Sequence, residues 1–145
     1  MPHLEYSCSV WNHHTKDKTS KIEPVQRRAA RYVTNCFERT DSVTSMLLDL
    51  KWETLESRRK ICQFTLLFKI VNDLIDVPAD PYLKPSNART RALHSRKFCQ
   101  PHTRTNIFKF SFFPHSIPSW NSLLASAADA PSRVSFKREL SKLSF

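Results

Sequence analysis

From Trp52 to about Asn72 the chain reads WETLESRRKICQFTLLFKIVN. On a 3.6-residue period its polar positions Arg58, Thr65 and Lys69 share one narrow strip, while Ile61, Cys62, Phe64, Leu66, Leu67, Phe68, Ile70 and Val71 fill most of the remainder. A helix apolar around so much of its circumference is covered by neighbours on several sides. Glu53 and Glu56 at its start suit the positive end of the helix dipole. Arg58, Arg59, Lys60 and Lys69 interrupt every window long enough for a membrane span. This pattern predicts the central helix, near 53–72. Leu66 is assigned to its buried face, so that Leu66→Ala is expected to cost roughly 2–5 kcal/mol.

Two further helices are predicted upstream. Over residues 17–34, Ile22, Val25, Ala29 and Val33 share one face, with Arg27, Arg28 and Arg31 on or beside the other. Pro24 either starts that helix or kinks it. Asp41 or Ser42 is suited to cap a short helix carrying Val43, Met46, Leu47 and Leu50. The central helix is expected to pack against both. Residues 1–14 show no clear period, and Tyr6, Val10 and Trp11 can pack only if something else covers them; the expectation is a chain that has lost its upstream partner or folds poorly around this cluster.

Downstream, Pro78, Pro81 and Pro85 predict a stiff, extended connector, with loop over 84–107. Phe108, Phe110 and Phe112 alternate with period two, which predicts a small β element near 107–113. Residues 116–124 read as a short helix presenting Ile117, Trp120 and Leu124. Pro131 and Ser132 open a last one with Phe136, Leu140 and Leu143 on one stripe. The fold class is therefore mostly α, a helical bundle around the central helix, with a small β element and a short C-terminal helix.

Charge changes the picture more than length does. The 145 residues carry a net charge of +10, which predicts contact with a polyanion. No aspartate or glutamate occurs between Pro81 and Ala128, where Lys84, Arg89, Arg91, Arg96, Lys97, Arg104 and Lys109 alternate with phenylalanines and histidines. Single-stranded nucleic-acid surfaces combine charge and rings in this way. The alternation nevertheless favours burial of the phenylalanine rings over base stacking.

Glycine is absent, which excludes P-loop and Rossmann phosphate cradles and any GxSxG elbow. The aspartates are scattered, so no two-metal site is visible. His94, Cys99 and His102 are the nearest approach to a zinc pattern and lack a fourth ligand at regular spacing. Surface histidines and one ordinary cysteine account for them better. Cys8, Cys36, Cys62 and Cys99 form no CxxC pair, and no signal peptide is visible. Reduced thiols in an intracellular compartment fit, with nucleus and cytoplasm unresolved.

Several blocks occur in a telling order. They are Pro2-His3-Leu4-Glu5-Tyr6 with Val10-Trp11-Asn12, then Val25-Gln26-Arg27-Arg28-Ala29-Ala30-Arg31, then Leu50-Lys51-Trp52-Glu53-Thr54-Leu55 with Arg58-Arg59. After these come Lys69-Ile70-Val71-Asn72 with Pro78-Ala79-Asp80, then Arg89-Thr90-Arg91, and Ser111-Phe112-Phe113-Pro114 with Trp120-Asn121-Ser122-Leu123. Together, over essentially the whole chain, they resemble the C-terminal region of reverse transcriptases of jockey-like and related non-LTR retrotransposons, of the long interspersed element type. Two departures stand out: Pro24 interrupts a helix that normally continues, and Lys51 replaces a glycine often found before the tryptophan.

The resemblance implies the end of a palm and a helical thumb-like region over 1–76, a Pro-rich basic connector over 77–107, and a C-terminal extension over 108–145. It implies an RNA-directed DNA polymerase whose catalytic aspartates and divalent metal belong to an upstream palm, leaving this chain non-catalytic and without a cofactor. The implied partners are RNA, DNA and the upstream polymerase portion, with no membrane. Phosphate contacts are then expected from Arg27, Arg28, Arg31, Arg58 and Arg59, and the basic connector adds Arg89, Arg91, Arg96, Lys97 and Arg104. The competing expectation is a small helical interaction or scaffold module that binds no nucleic acid.

Overall fold

The computed structural model describes residues 16–38, 40–86 and 94–143. Seven helices are found among them: α1 (Lys16–Thr34), α2 (Val43–Asp49), α3 (Leu55–Val71), α4 (Asn106–Lys109), α5 (Phe112–Asn121), α6 (Ala125–Ala128) and α7 (Arg133–Ser141). The fold is mostly α, as the apolar periodicities predict. No described helix is long and apolar enough to cross a membrane. The described residues divide into two compact units, 16–60 and 61–143, and the division falls inside α3. The readings of residues 1–14, including Cys8, lie outside the described residues.

In the first unit α1 packs against α2. The residues of α1 that are buried are Gln26 and Ala30, at 1% and 0% exposure, whereas Val25 and Val33 are exposed. The inward face is thus rotated from the one the aliphatic residues predicted. A hydrogen-bonded glutamine, described below, outweighs two valines. Pro24 does not start the helix: it is exposed within α1, which runs from Lys16 to Thr34. Ser42 caps α2 by accepting from the Ser45 amide, and Met46 is the buried anchor of that helix.

Without glycine, three helices end on side-chain-bearing residues in the left-handed region: Asn35 (φ 54°), Lys51 (φ 52°) and Asp73 (φ 52°). Each end closes with the six-to-one bond of a Schellman motif. The Cys36 amide donates to the Arg31 carbonyl at 3.2 Å, Trp52 to Leu47 at 2.8 Å, and Leu74 to Lys69 at 2.8 Å. Asparagine and aspartate visit this region readily, while lysine does so at a steric cost.

The second unit is built on the apolar length of α3. Phe64, Leu67 and Phe68 pack with Trp120, Leu123, Ala127, Ala130, Phe136 and Leu140. Phe68 and Phe136 stack with ring centroids 4.4 Å apart, and Trp120 lies 5.9 Å from Phe136. The apolar positions of α3 from Phe64 onward therefore pack against the C-terminal helices, where the pattern had predicted the 17–34 and 42–50 helices. The stripe Phe136, Leu140, Leu143 is inward as predicted. Leu123 takes the place expected of Leu124, which is 52% exposed.

Trp120 and Asn121 anchor the irregular segment 94–99. The indole Nε1 donates to the Arg96 carbonyl at 2.8 Å. The Asn121 amide both donates to the Phe98 carbonyl and accepts from the Phe98 amide, at 2.8 and 3.0 Å. This side-chain pairing copies what a neighbouring strand would provide. Among the described residues the extended pairing is a single antiparallel bridge, Pro85 to Phe98.

Three expectations are corrected. The β element near 107–113 is absent, because Thr105 caps α4 by accepting from the Phe108 amide, and α5 begins at Phe112. The phenylalanine alternation spans two helix ends. Thr65 is buried, its hydroxyl donating to the Ile61 carbonyl at 2.7 Å, while Cys62 on the same helix is exposed. Leu66 is only half-buried and Leu67 is fully buried, so the truncation cost of roughly 2–5 kcal/mol moves to Leu67.

Replacing Lys51 by glycine removes the Cβ penalty at φ 52° but adds freedom to the unfolded chain. We expect Lys51→Gly to stabilise by about 0.5–1 kcal/mol, and Asn35→Gly and Asp73→Gly by less. Urea unfolding midpoints check this. A lower midpoint for Lys51→Gly would show that the lysine side chain repays its strain.

Candidate nucleic-acid interface

The outward face of α1 carries charge and one ring. At about 100° per residue, Lys21, Arg28 and Tyr32 cluster opposite Gln26 and Ala30, and Arg27 lies at the flank of that face. Arg27 and Arg28 are exposed, and Tyr32 is 79% exposed. Arg31 is half-buried, and its Nη1 donates to the Glu38 carbonyl at 3.0 Å, holding the chain where it leaves the helix.

On its inward side α1 fixes the corner between α2 and α3. The Gln26 Nε2 donates to the Glu53 carbonyl at 2.7 Å, and its Oε1 accepts from the buried Leu55 amide at 3.2 Å. The Leu55 amide is one of the four N–H groups that a helix start leaves without an internal partner. Thr54 Oγ1 satisfies another, the Ser57 amide, at 3.2 Å. With Trp52 tied back to Leu47, residues 51–55 are bonded on both sides. The corner borders an open cleft of about 450 Å³ lined by Gln26, Lys51, Trp52, Glu53 and Arg58.

Neighbouring Arg58 and Arg59 have different environments. Arg58 is half-buried and lines the cleft. Arg59 is 3% exposed, and its Nη2 lies 3.4 Å from Glu23 Oε1. A guanidinium so enclosed needs its carboxylate, since an uncompensated buried charge is strongly destabilising. Arg59 therefore holds α3 to α1 and is removed from the set of surface phosphate contacts.

In the second unit Arg96 donates to Asn72 Oδ1 at 2.8 Å and lies 3.7 Å from Asp129. Lys97 is half-buried and Arg104 exposed, while Arg89 and Arg91 lie outside the described residues. His94 is 5% exposed, with its Nε2 on the Trp120 carbonyl at 3.0 Å and its ring edge-on to the indole. Cys99 and His102 are exposed. No group of three or more potential metal ligands is found among the described residues.

The expected arginines thus separate by environment. Arg27 and Arg28 remain exposed on the first unit, where exposed Lys51 and half-buried Trp52 were not assigned by sequence reasoning. Gln26 was also missed as a structural residue. Its spacing of four from Ala30 is the one signal that could have found it, since the aliphatic residues pointed elsewhere. No protein-family model, curated protein or solved structure matches the chain.

Gln26→Leu keeps the volume of this side chain and removes both its hydrogen bonds. The Leu55 amide and Glu53 carbonyl would lose their partner, at a cost of about 1–3 kcal/mol for a group left buried and unsatisfied. Urea unfolding should show that loss, together with faster hydrogen exchange at the Leu55 amide. Unchanged stability would mean that the corner does not depend on Gln26.

Proposed function

We propose that this chain is a non-catalytic, C-terminal part of an RNA-directed DNA polymerase of the non-LTR retrotransposon kind, and that it contributes contacts to RNA template or primer duplex. The observation that carries the reading is the paired exposure of Arg27 and Arg28 on α1, within a block that resembles that family. Their guanidinium groups suit phosphate oxygens, to which they present a planar fork of donors. Lys97 and Arg104 would add contacts from the second unit.

Lys51 lends separate support. The family pattern often has a glycine there, and the backbone at φ 52° is one that glycine adopts freely. The requirement for that conformation is a property of the Schellman turn, which this chain meets with a lysine. At this position the resembling pattern and the backbone agree on physical grounds. In this reading metal and catalytic carboxylates belong to the upstream palm.

The alternative, a helical interaction module without nucleic-acid affinity, also has an observation in its favour. Tyr32, Val33 and Phe37 stand 79%, 56% and 60% exposed around the end of α1. Salt dependence separates the two readings, because phosphate contacts release counterions.

Fluorescence anisotropy with a labelled RNA–DNA duplex, over a series of salt concentrations, tests the proposal. Affinity should fall as salt rises. The Arg27→Ala, Arg28→Ala double variant should flatten the slope of log K against log salt by about 1.8, taking roughly 0.9 per duplex phosphate contact. Undetectable or salt-independent binding would favour the interaction module.

A further inference from the structure

The helix α7 is held from one side. Phe136 and Leu140 are fully buried, and the Phe136 ring stacks on Phe68 with centroids 4.4 Å apart. At about 100° per residue, Val134 and Arg138 fall opposite that stripe and Lys137 on its flank, with Arg133 one turn before Lys137. Arg133, Lys137 and Arg138 are exposed, and Val134 is 77% exposed, so this side of the helix is uncovered.

Two observations separate this surface from ordinary solvated charge. A surface that serves solubility alone mixes both signs. The carboxylate of α7, Glu139, already accepts from Lys142 at 2.7 Å, and among the described residues none of Arg133, Lys137 and Arg138 is found in an ion pair. The second observation is the place of Arg133. It is the first residue of the helix, after the Ser132 cap, where the dipole disfavours a cation, and no acidic residue shares that turn. A residue kept against the local preference of its own helix marks a functional position.

Spacing and composition say what fits. From Arg133 to Arg138 the helix axis rises about 7.5 Å. Phosphates of one duplex strand follow each other at about 3.4 Å along the axis, so the three cations span roughly two or three of them. The ring that α7 carries, Phe136, is buried, so this face offers no stacking platform and reads backbone in place of bases. We infer that α7 lies along one strand of the nucleic acid and that Arg133, Lys137 and Arg138 hold its phosphodiester backbone. This inference rests on the proposed nucleic-acid function and deepens it: the second unit binds through a helix pinned to its core, beyond Lys97 and Arg104 of the irregular segment.

The test uses the full chain with two labelled probes, an RNA–DNA duplex and an oligoglutamate peptide, each over a series of salt concentrations. The Lys137→Gln, Arg138→Gln double variant should flatten the duplex slope of log K against log salt by about 1.8, at roughly 0.9 per phosphate contact. Lys60→Gln, which removes an ammonium already paired with Glu56 at 2.9 Å, should leave the slope unchanged. Arg133→Glu separates binding from folding. An acidic residue suits that end of the helix, so the urea midpoint should hold or rise while duplex affinity falls about tenfold near 0.1 M salt. An unchanged slope in the double variant, with the wild-type chain still binding, would overturn the α7 inference and leave the α1 reading intact. An equal loss of slope per charge in Lys60→Gln would also overturn it, since binding would then follow net charge and not this face. So would a lower urea midpoint accompanying the lost affinity of Arg133→Glu, because the arginine would then be structural. Oligoglutamate binding that is lost in the double variant while its duplex binding stays wild-type would overturn it in favour of an acidic protein partner. Failure of the wild-type chain to bind the duplex would overturn both readings together.

Discussion

A chain without glycine has to reverse its helices with residues that carry a Cβ, and here it does so in the left-handed region at Asn35, Lys51 and Asp73. Each of these turns is closed by a backbone bond from the following residue to the last turn of its helix. The constraint has a local consequence at residue 51. A glycine there would end α2 without a steric cost. Lysine ends it at some steric cost and brings a cation to the cleft that Trp52 and Arg58 also line.

The corner after Lys51 depends on one side chain of α1. Gln26 is almost fully buried beside Ala30, on a face rotated from the exposed Val25 and Val33, and both ends of its amide are satisfied. Glu23 and Arg59 reinforce the same contact between α1 and α3. The two inward polar residues of α1 fix the start of α3, which leaves Arg27 and Arg28 directed to solvent. Surface pairs such as Lys60 with Glu56 and Lys142 with Glu139 add little by comparison, because water screens them. Net charge alone therefore says less than which cations have been spent internally. Arg59 has been, and Arg96 is partly engaged by Asn72 and Asp129.

Long helices were legible in the sequence because their apolar periodicity is sustained over several turns. α3 follows it in extent, though not at Cys62, Thr65 or Leu66, and the Phe136–Leu140–Leu143 stripe is inward. The alternation of Phe108, Phe110 and Phe112 misled because it covers only five residues and runs from α4, which Thr105 caps, into the start of α5. Capping chemistry decided that segment over period. The buried face of α1 was misjudged for a different reason: hydrophobicity cannot register a glutamine whose amide is fully bonded. Of the candidate site, exposure of Arg27 and Arg28 could be read from the helical period. The division between Arg58 and Arg59 could not, because it depends on Glu23, thirty-six positions away from Arg59. The cleft was equally hidden, being formed by Gln26 and by residues 51–58 only once the chain has folded.

On the proposed function, the first unit contacts nucleic acid through Arg27 and Arg28 of α1. Backbone amide spectra of the ¹⁵N-labelled chain, recorded while an unstructured oligoadenylate RNA is added, test it residue by residue. Shift changes are expected at Arg27, Arg28 and their neighbours on α1. An absence of shifts, or shifts confined to residues 94–104, would contradict it.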